Sequence, residues 1–434
     1  MSDWALATLG ELTQYQRAGG TPTATNPKYY GGDIPFVTIE DITRSRRELH
    51  RTQRSLTAAG LSASAAWVMH DRHILYSMYA TVGKPVLNCI PCATNQAIIA
   101  LKPNEKIDLE FLYYQLAFIE PSVYKFTSQT TQSNLNASSV RSLPISYPTS
   151  KASQQRIATI LTSLDAAIEK TEALIEKHQQ IKAGLMHDLF TRGVLPSSQL
   201  RPTTEQAPKC FKTVDHAMFP VDWQVEAIST VLDSVVDGPF GSNLKTEHYV
   251  VDAGVRVVRL QNISETEYDD SDPAYISARH AGTLARNKVV AGDVLIAGLG
   301  DDRYAVGRAC CYPPDIEPAI NKADCFRARC KPDAMRNMFL MLFLNSEVAR
   351  QQMRRFEQGV TRPRVNTGNL KRLRVLVPSL AEQDRIIAKF ENARSAIDCQ
   401  RARLEKLRLE KLGLMQDLLT GRVAVQVPQP EAVT

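Results

Sequence analysis

The stretch Gln154-Gln155-Arg156-Ile157, running on to Gly184-Leu185-Met186-His187-Asp188-Leu189-Phe190-Thr191, returns as Gln383-Asp384-Arg385-Ile386 and Gly413-Leu414-Met415-Gln416-Asp417-Leu418-Leu419-Thr420. The offset from Gln154 to Gln383 is 229 residues in a chain of 434. A period that long marks duplication of a large unit, because solenoid repeats recur every ~20 to 50 residues. The function must involve two similar things at two similar sites.

Within the first copy, Ile157, Leu161, Leu164, Ile168, Thr171, Ile175 and His178 follow steps of four and three, the spacing of a coiled-coil seam. The second copy places Ile386, Phe390, Ala393, Ile397, Gln400, Leu404 and Leu407 at the matching positions. Both stretches are free of proline and begin just after one, at Pro148 and Pro378. Each is expected to be a helix of roughly 35 to 40 residues, about 55 Å long. A lone helix with one apolar stripe needs a partner in water, and the other copy is the nearest. If each helix leaves its own globular domain and runs to the other, the pair is antiparallel. The polar seam residues Thr171, His178 and Gln400 would then fix its alignment.

The segments ahead of the helices also echo each other. Trp4-Ala5-Leu6 answers Trp223-Gln224-Val225, the stretch 34–42 answers 255–263, His73-Ile74-Leu75-Tyr76-Ser77 answers Asp293-Val294-Leu295-Ile296-Ala297, and Val82-Gly83-Lys84 answers Val306-Gly307-Arg308. These are short β-branched runs between glycines and prolines, so they read as strands and turns, with a helix following in each near 109–126 and 335–356. The fold expected is α+β: two pseudo-repeated domains of mixed strands with helices, separated by two long antiparallel coiled-coil helices. The expected boundaries are 1–148, a helix at 149–195, a linker at 196–220 rich in proline, serine, threonine and lysine, a second domain at 221–377, a helix at 378–425 and a tail at 426–434.

Composition narrows the function mainly by exclusion. With 52 basic and 46 acidic residues the chain is mildly cationic, which permits a polyanionic partner without requiring one. Without a basic and apolar leader or an apolar run of membrane length, it reads as cytoplasmic, with no membrane partner. Among eight cysteines, Cys89-Ile90-Pro91-Cys92 has zinc-pair spacing but no second pair to complete four ligands, so no metal site is expected. No phosphate loop occurs; Gly298-Leu299-Gly300 lacks the third glycine of a dinucleotide site. Asn26-Pro27-Lys28-Tyr29 lacks the second proline of an adenine-methyltransferase loop, and no hydrolase elbow or zinc-protease pair is present. Catalysis by this chain is not expected, and no catalytic residue is assigned.

Two basic clusters stand out: Arg44, Arg46, Arg47, Arg51 and Arg54 in the first domain, and Arg350, Arg354, Arg355, Arg362, Arg364, Lys371, Arg372 and Arg374 in the second. A solvated charged face is the bland account of any one arginine, but clusters on both repeats point to DNA. Beside Arg362 and Arg364 lies Gln358-Gly359-Val360-Thr361, ending at Asn366; its counterpart is the run with Gln129, Thr131, Gln132 and Ser133, ending at Asn136. Glutamine, asparagine and arginine can read adenine and guanine edges bidentately. An ordinary polar loop capping the next strand is the alternative.

With Leu9-Gly10-Glu11-Leu12, Gly19-Gly20-Thr21-Pro22, Ile34-Pro35-Phe36-Val37, Asp237-Gly238-Pro239-Phe240-Gly241-Ser242, and the twice-used Gln-x-Arg-Ile and Leu-Met-x-Asp-Leu, the chain resembles the specificity subunit of type I restriction–modification systems over nearly its whole length. The resemblance implies target-recognition domain, long helix, target-recognition domain, long helix. It implies a non-catalytic subunit that reads a bipartite target in double-stranded DNA and carries two methyltransferase subunits, with translocase–nuclease subunits joining for restriction in phage defence. S-adenosylmethionine and ATP with Mg would sit in those partners, and no cofactor in this chain. Because the first domain lacks Gly-Pro-Phe-Gly-Ser and the second lacks Gly-Gly-Thr-Pro, the two half-sites should differ. With DNA as partner, Thr21, Lys84, Asn243, Lys245, Gln261 and Arg303 join the candidate contacts. A fused methyltransferase–nuclease, or a coiled-coil scaffold that never touches DNA, are the rival readings.

Overall fold

The computed structural model describes residues 3–126, 134–214, 217–251, 254–359 and 361–426. The chain forms two compact units: residues 1–173 with 401–434, and residues 174–400. Each therefore contains the start of one long helix and the end of the other. The helices span Lys151–Thr191, 41 residues, and Leu380–Leu418, 39 residues. Among the described residues no helix is long and apolar enough to cross a membrane.

In unit 1 the strand Trp4–Thr8 pairs antiparallel with Pro144–Pro148, closing the domain immediately before the first long helix. A five-stranded sheet centres on Ile74–Ser77, flanked by Ile98–Pro103 and Pro85–Asn88. A second, three-stranded sheet contains the parallel pair of Tyr30–Val37 with Ala93–Thr94. The helix Leu109–Ile119 packs Phe111, Leu112, Tyr114 and Leu116 into a core that also takes Ile157 and Leu161 of the first long helix and Leu418 and Leu419 from the end of the second.

Unit 2 repeats this plan. Gln224–Ala227 pairs with Arg374–Val377 just before the second long helix. Val294–Ala297 lies between Cys325–Cys330 and Ala309–Cys311, and Val255–Val258 runs parallel to Ala319–Asn321. Its core joins Trp223, Phe339 and Phe343 to Leu189, Phe190 and Val194 at the end of the first long helix, and to Ile386 and Phe390 at the start of the second.

The twice-used Gln-x-Arg-Ile motif has a mechanical basis. Gln154 is fully buried; its Oε1 accepts from the Asp108 amide at 2.6 Å, and its Nε2 donates to the Lys106 and Pro148 carbonyls at 3.0 and 2.8 Å. Gln383, equally buried, accepts from the Arg336 amide at 2.8 Å and donates to the Ala334 and Pro378 carbonyls at 3.1 and 3.0 Å. In both units one amide locks the first turn of the long helix to the domain it leaves, satisfying backbone groups that would otherwise be stranded out of water.

The seam is helical and antiparallel in each unit. In unit 1 Asp165 pairs with Lys411 at 2.5 Å and Glu172 with Arg408 at 2.8 Å. In unit 2 the Glu382 carboxylate accepts from the Val194 amide at 2.9 Å, and Lys182 lies 5.0 Å from the Phe390 ring. Ile157, Leu161, Ile386, Phe390, Ile397 and Leu404 are buried, while Leu164, Ile168, Ile175 and Leu407 are half-buried at the rim. Thr171 does not set the alignment as expected: its hydroxyl donates to the Ala167 carbonyl of its own helix at 2.8 Å, so the charged pairs take that role in unit 1.

Two expectations need correcting. The segment 196–220 is not a loose linker but part of unit 2. It forms a hairpin of Phe211–Val214 with Ala217–Pro220, and its Arg201 is buried against Glu382 and 2.7 Å from Asp222. The single helix expected at 335–356 is two, Asn337–Asn345 and Glu347–Arg354. Ser346 turns extended between them and accepts from the Ala349 amide at 3.4 Å as the cap of the second.

Candidate nucleic-acid interface

The basic cluster of unit 1 is largely an internal ion-pair network. Arg47, its side chain only 13% exposed, pairs with Glu110 and with Glu48 at 3.1 Å, and lies 5.7 Å from the rings of Tyr113 and Tyr114. Arg46 pairs with Glu172 of the first long helix. Arg47 is thus corrected, because it faces the domain interior, whereas Arg46, 62% exposed at its side chain, keeps an open face beside Glu172. Arg44 is exposed and makes no ion pair among the described residues, so it keeps its charge for a ligand.

Lys84 is also corrected. It follows Gly83, whose φ of +86° only glycine adopts freely, and its Nζ donates to the Thr43 carbonyl at 2.9 Å, with burial lowering its pKa. Arg308 follows Gly307 (φ +77°) in unit 2 and does the same more fully. Its guanidinium donates to the carbonyls of Leu260, Ile263, Leu299 and Ala305 at 2.7–3.2 Å. The cation after this glycine clamps loops in both units.

Gln129, Thr131, Gln132 and Ser133 lie outside the described residues. Asn136 and Asn366, which end the two polar runs, cap the helices that follow, accepting from the Ser139 and Asn369 amides at 2.8 Å each. Asn366 is therefore the cap of a helix, where the alternative to base reading had expected a loop capping a strand. Thr21, in the Gly-Gly-Thr-Pro turn, is exposed and hydrogen-bonds Gln96 at 2.5 Å. Gly20 packs where a Cβ would strike the Ala65 backbone at 2.8 Å, so the turn is tightly seated.

Unit 2 gathers the more open surface. Gln358 and Arg364 exchange backbone hydrogen bonds of 3.0 and 2.9 Å, closing a tight loop, and the Gly300 amide donates to the Pro363 carbonyl at 2.9 Å, pinning that loop beside 298–300. Gln358, Thr361 and Arg362 are exposed on it, and Arg362 makes no ion pair among the described residues. Arg364 pairs with Asp324 at 2.7 Å and stands 5.6 Å from the Phe240 ring. Arg303, Asn243 and Lys245 are exposed on neighbouring turns; Gln261 is exposed but donates to Asp272 at 2.7 Å. Of the second basic cluster, Arg350 is buried, donating to the Val306 carbonyl at 2.8 Å and pairing with Glu265 at 3.0 Å, while Arg354 pairs with Glu347 at 2.5 Å. Arg350 is therefore structural, while Arg354 lies on the surface, 57% exposed at its side chain.

Glu48, His50 and Cys89 bring three donor atoms within 4.8 Å of one another. Guanidinium groups of Arg47 and Arg72 already hold Glu48, at 3.1 and 2.5 Å, so a cation would have to displace both. The trio is an ion-pair cluster. Two exposed aromatic side chains in unit 2 were not among the sequence candidates: Phe240, 48% exposed, and Tyr304, 51% exposed. The signal for Phe240 was its position between turn-forming glycines.

The sequence model of the type I restriction modification DNA specificity domain matches residues 1–178 and 312–409. The MjaVIII specificity subunit of a type I restriction enzyme from Methanocaldococcus jannaschii is 24% identical over 98% of this chain and 94% of its own. The EcoBI specificity subunit of Escherichia coli is 24% identical over 82% of this chain and 72% of its own. Among solved structures, the type I restriction–modification S subunit from M. genitalium superposes with a TM-score of 0.55 at 15% identity, over 96% of each chain. A chain from a study of complex assembly and conformational transition of the type I R-M system gives 0.60 at 16% identity, over 97% of this chain and 98% of that one.

Proposed function

Because the chain belongs to the type I restriction–modification DNA specificity family, we propose that it reads a bipartite DNA target, each unit addressing one half-site, and that it carries two methyltransferase subunits. The observation that carries this reading is a duplicated frame with unlike faces. The buried glutamines and capping asparagines recur, whereas the exposed loops differ in sequence and charge. Two readers built on one frame suit two different short sequences on one duplex, and the repeated helices offer two similar surfaces to two copies of one partner.

The chemistry belongs to the partners in this reading: S-adenosylmethionine in the methyltransferase subunits, ATP and Mg in translocase–nuclease subunits where these join, and no cofactor here. The long helices act as a spacer. Inserting a heptad after Glu172 and another after Arg401 lengthens each helix by about 10 Å while keeping the seam in phase. At ~3.4 Å per base pair, the unread gap should grow by roughly three base pairs.

Single-molecule sequencing of host DNA, with this gene present and deleted, tests the whole reading. The expected result is one bipartite methylation motif that vanishes with the gene. A methylome unchanged by the deletion, in a host with active methyltransferase partners, rejects it.

A further inference from the structure

The loop 237–243 of unit 2 holds an aromatic ring in solvent on a frame with little freedom. Gly238 lies so close to the neighbouring backbone that a Cβ would fall 1.9 Å from the Lys322 carbonyl carbon, and Gly241 sits at φ +61°. The Asp237 carboxylate accepts from the Gly238 and Asp324 amides at 2.7 and 3.0 Å. The side-chain amides of Asn287 and Asn321 donate to the Asp237 and Val236 carbonyls at 2.8 and 3.1 Å. Four polar side-chain contacts and two conformationally special glycines thus fix a turn whose apex residue, Phe240, belongs to none of the buried clusters of unit 2.

The ring does not stand alone. The Arg364 guanidinium lies 5.6 Å from its centroid and is itself held by Asp324 at 2.7 Å, so ring and cation are both placed before any ligand arrives. Exposed Asn243, Lys245, Thr361 and Arg362 lie on the same two loops. A rigid apolar wedge beside a fixed positive charge, ringed by polar and basic side chains, matches the way proteins unstack a base step while holding the flanking phosphates.

Resting on the reading of this chain as a DNA-specificity subunit, we propose that Phe240 inserts partway into one base step of the half-site read by unit 2, with Arg364 keeping the ring in place. A phenyl ring offers no hydrogen-bonding pattern, so it discriminates by how readily a step opens, which favours pyrimidine–purine steps. Unit 2 would then read one position by deformability and its neighbours by base edges. Unit 1, without the Gly-Pro-Phe-Gly-Ser turn, would have no such position.

The test uses the full chain with its methyltransferase partners and duplexes carrying the methylome-defined target, with 2-aminopurine placed singly along each half-site. With the adenines that are methylated left unsubstituted, because a methyltransferase extrudes its target base, the wild-type complex should raise the fluorescence several-fold at one step in the unit 2 half-site. Phe240→Ala should abolish that rise and weaken cognate binding about tenfold, with its melting temperature and salt slope unchanged; Phe240→Trp should restore the signal. Arg364→Lys, which keeps the charge but loses the planar fork, should reduce the rise without abolishing it. Wild-type fluorescence that stays flat at every position, or a Phe240→Ala complex with wild-type affinity and signal, overturns the wedge. Failure of the wild-type complex to prefer the target duplex at all would instead reject the specificity reading.

Discussion

Placed side by side, the two units agree in their frame and part company in what they do with their arginines. Gln154 and Gln383 make the same three hydrogen bonds, and the glycines at 83 and 307 turn the same way before a cation that clamps neighbouring carbonyls. Yet unit 1 commits Arg46 and Arg47 to carboxylates of its own, whereas unit 2 leaves Arg362 open on a pinned loop and holds Arg364 against an exposed ring. Positions that carry the load of the helix junction stay alike while the faces diverge. A cluster of arginines in sequence therefore identifies an interface only once its acidic partners are known.

The sharpest contrast lies at the residue before each locking glutamine. In unit 2 it is Glu382, 4% exposed at its side chain and paired with Arg201, 9% exposed; in unit 1 it is Ser153, half-buried and without a charge. Replacing Glu382 by Ala removes the buried partner of Arg201 and the acceptor of the Val194 amide, leaving only the more exposed Asp222, and should destabilise by about 3 kcal/mol. Ser153→Ala should stay within about 0.5 kcal/mol. Chemical denaturation followed by circular dichroism compares them, and equal small losses would mean that the buried pair does not anchor unit 2.

The glutamines themselves should behave as twins. Gln154→Ala and Gln383→Ala each leave one buried amide and two carbonyls without their partner, a cost of about 2–3 kcal/mol if water reaches one of the three. The equivalence is the prediction: unfolding midpoints differing widely between the two variants would show that the repeated motif does different work in its two settings.

Arg47 and Arg362 separate fold from interface. Arg47→Ala should lower the melting temperature and leave the relative affinities for cognate and altered duplexes as they were. Arg362→Ala should leave melting unchanged and weaken cognate binding by roughly 1–3 kcal/mol if it reads a guanine, relaxing one base pair. If it holds a phosphate, all duplexes should weaken alike and the salt slope fall by about one. Wild-type binding by the Arg362 variant would make the loop structural.

The smallest effect concerns thiols. Burial pushes Cys92, Cys311 and Cys330 up to about 12, so at pH 8 they remain protonated and unreactive. Exposed Cys210 and Cys399 should alkylate with iodoacetamide first, read by peptide mass spectrometry. Early labelling of Cys311 or Cys330 would show unit 2 opening where unit 1 does not.

Much of the frame was legible because it is periodic. Steps of four and three between apolar residues give the long helices, and the repeated strings give the duplication and both domain starts. The segment 196–220 was misread because proline, serine and lysine signal loose chain equally when a hairpin and one buried arginine fasten them. The divided helix at Ser346 was missed because serine carries no stop signal until its hydroxyl is seen capping the next turn. The candidate site was less legible. Arg47, Arg308 and Arg350 cannot be told in sequence from Arg362, since burial and carboxylate partners come from residues tens of positions away. Phe240 stood in the quoted turn, but only its exposure and the guanidinium beside it give it a role.

The division of each long helix between the units has a consequence for how the protein is made. Unit 1 takes Leu418 and Leu419 into its core, and the Gln115 amide donates to the Leu419 carbonyl at 2.7 Å. Those residues leave the ribosome only after all of unit 2 has been synthesised. At translation rates of about 5–20 residues per second, the 246 residues that follow Ala173 through Leu419 keep part of the first domain's apolar core uncovered for roughly 12 to 50 s. Unit 2 waits for nothing, because residue 400 completes it. The second half to be translated is thus the first able to finish folding, and the opening domain keeps that apolar surface uncovered until the last helix arrives.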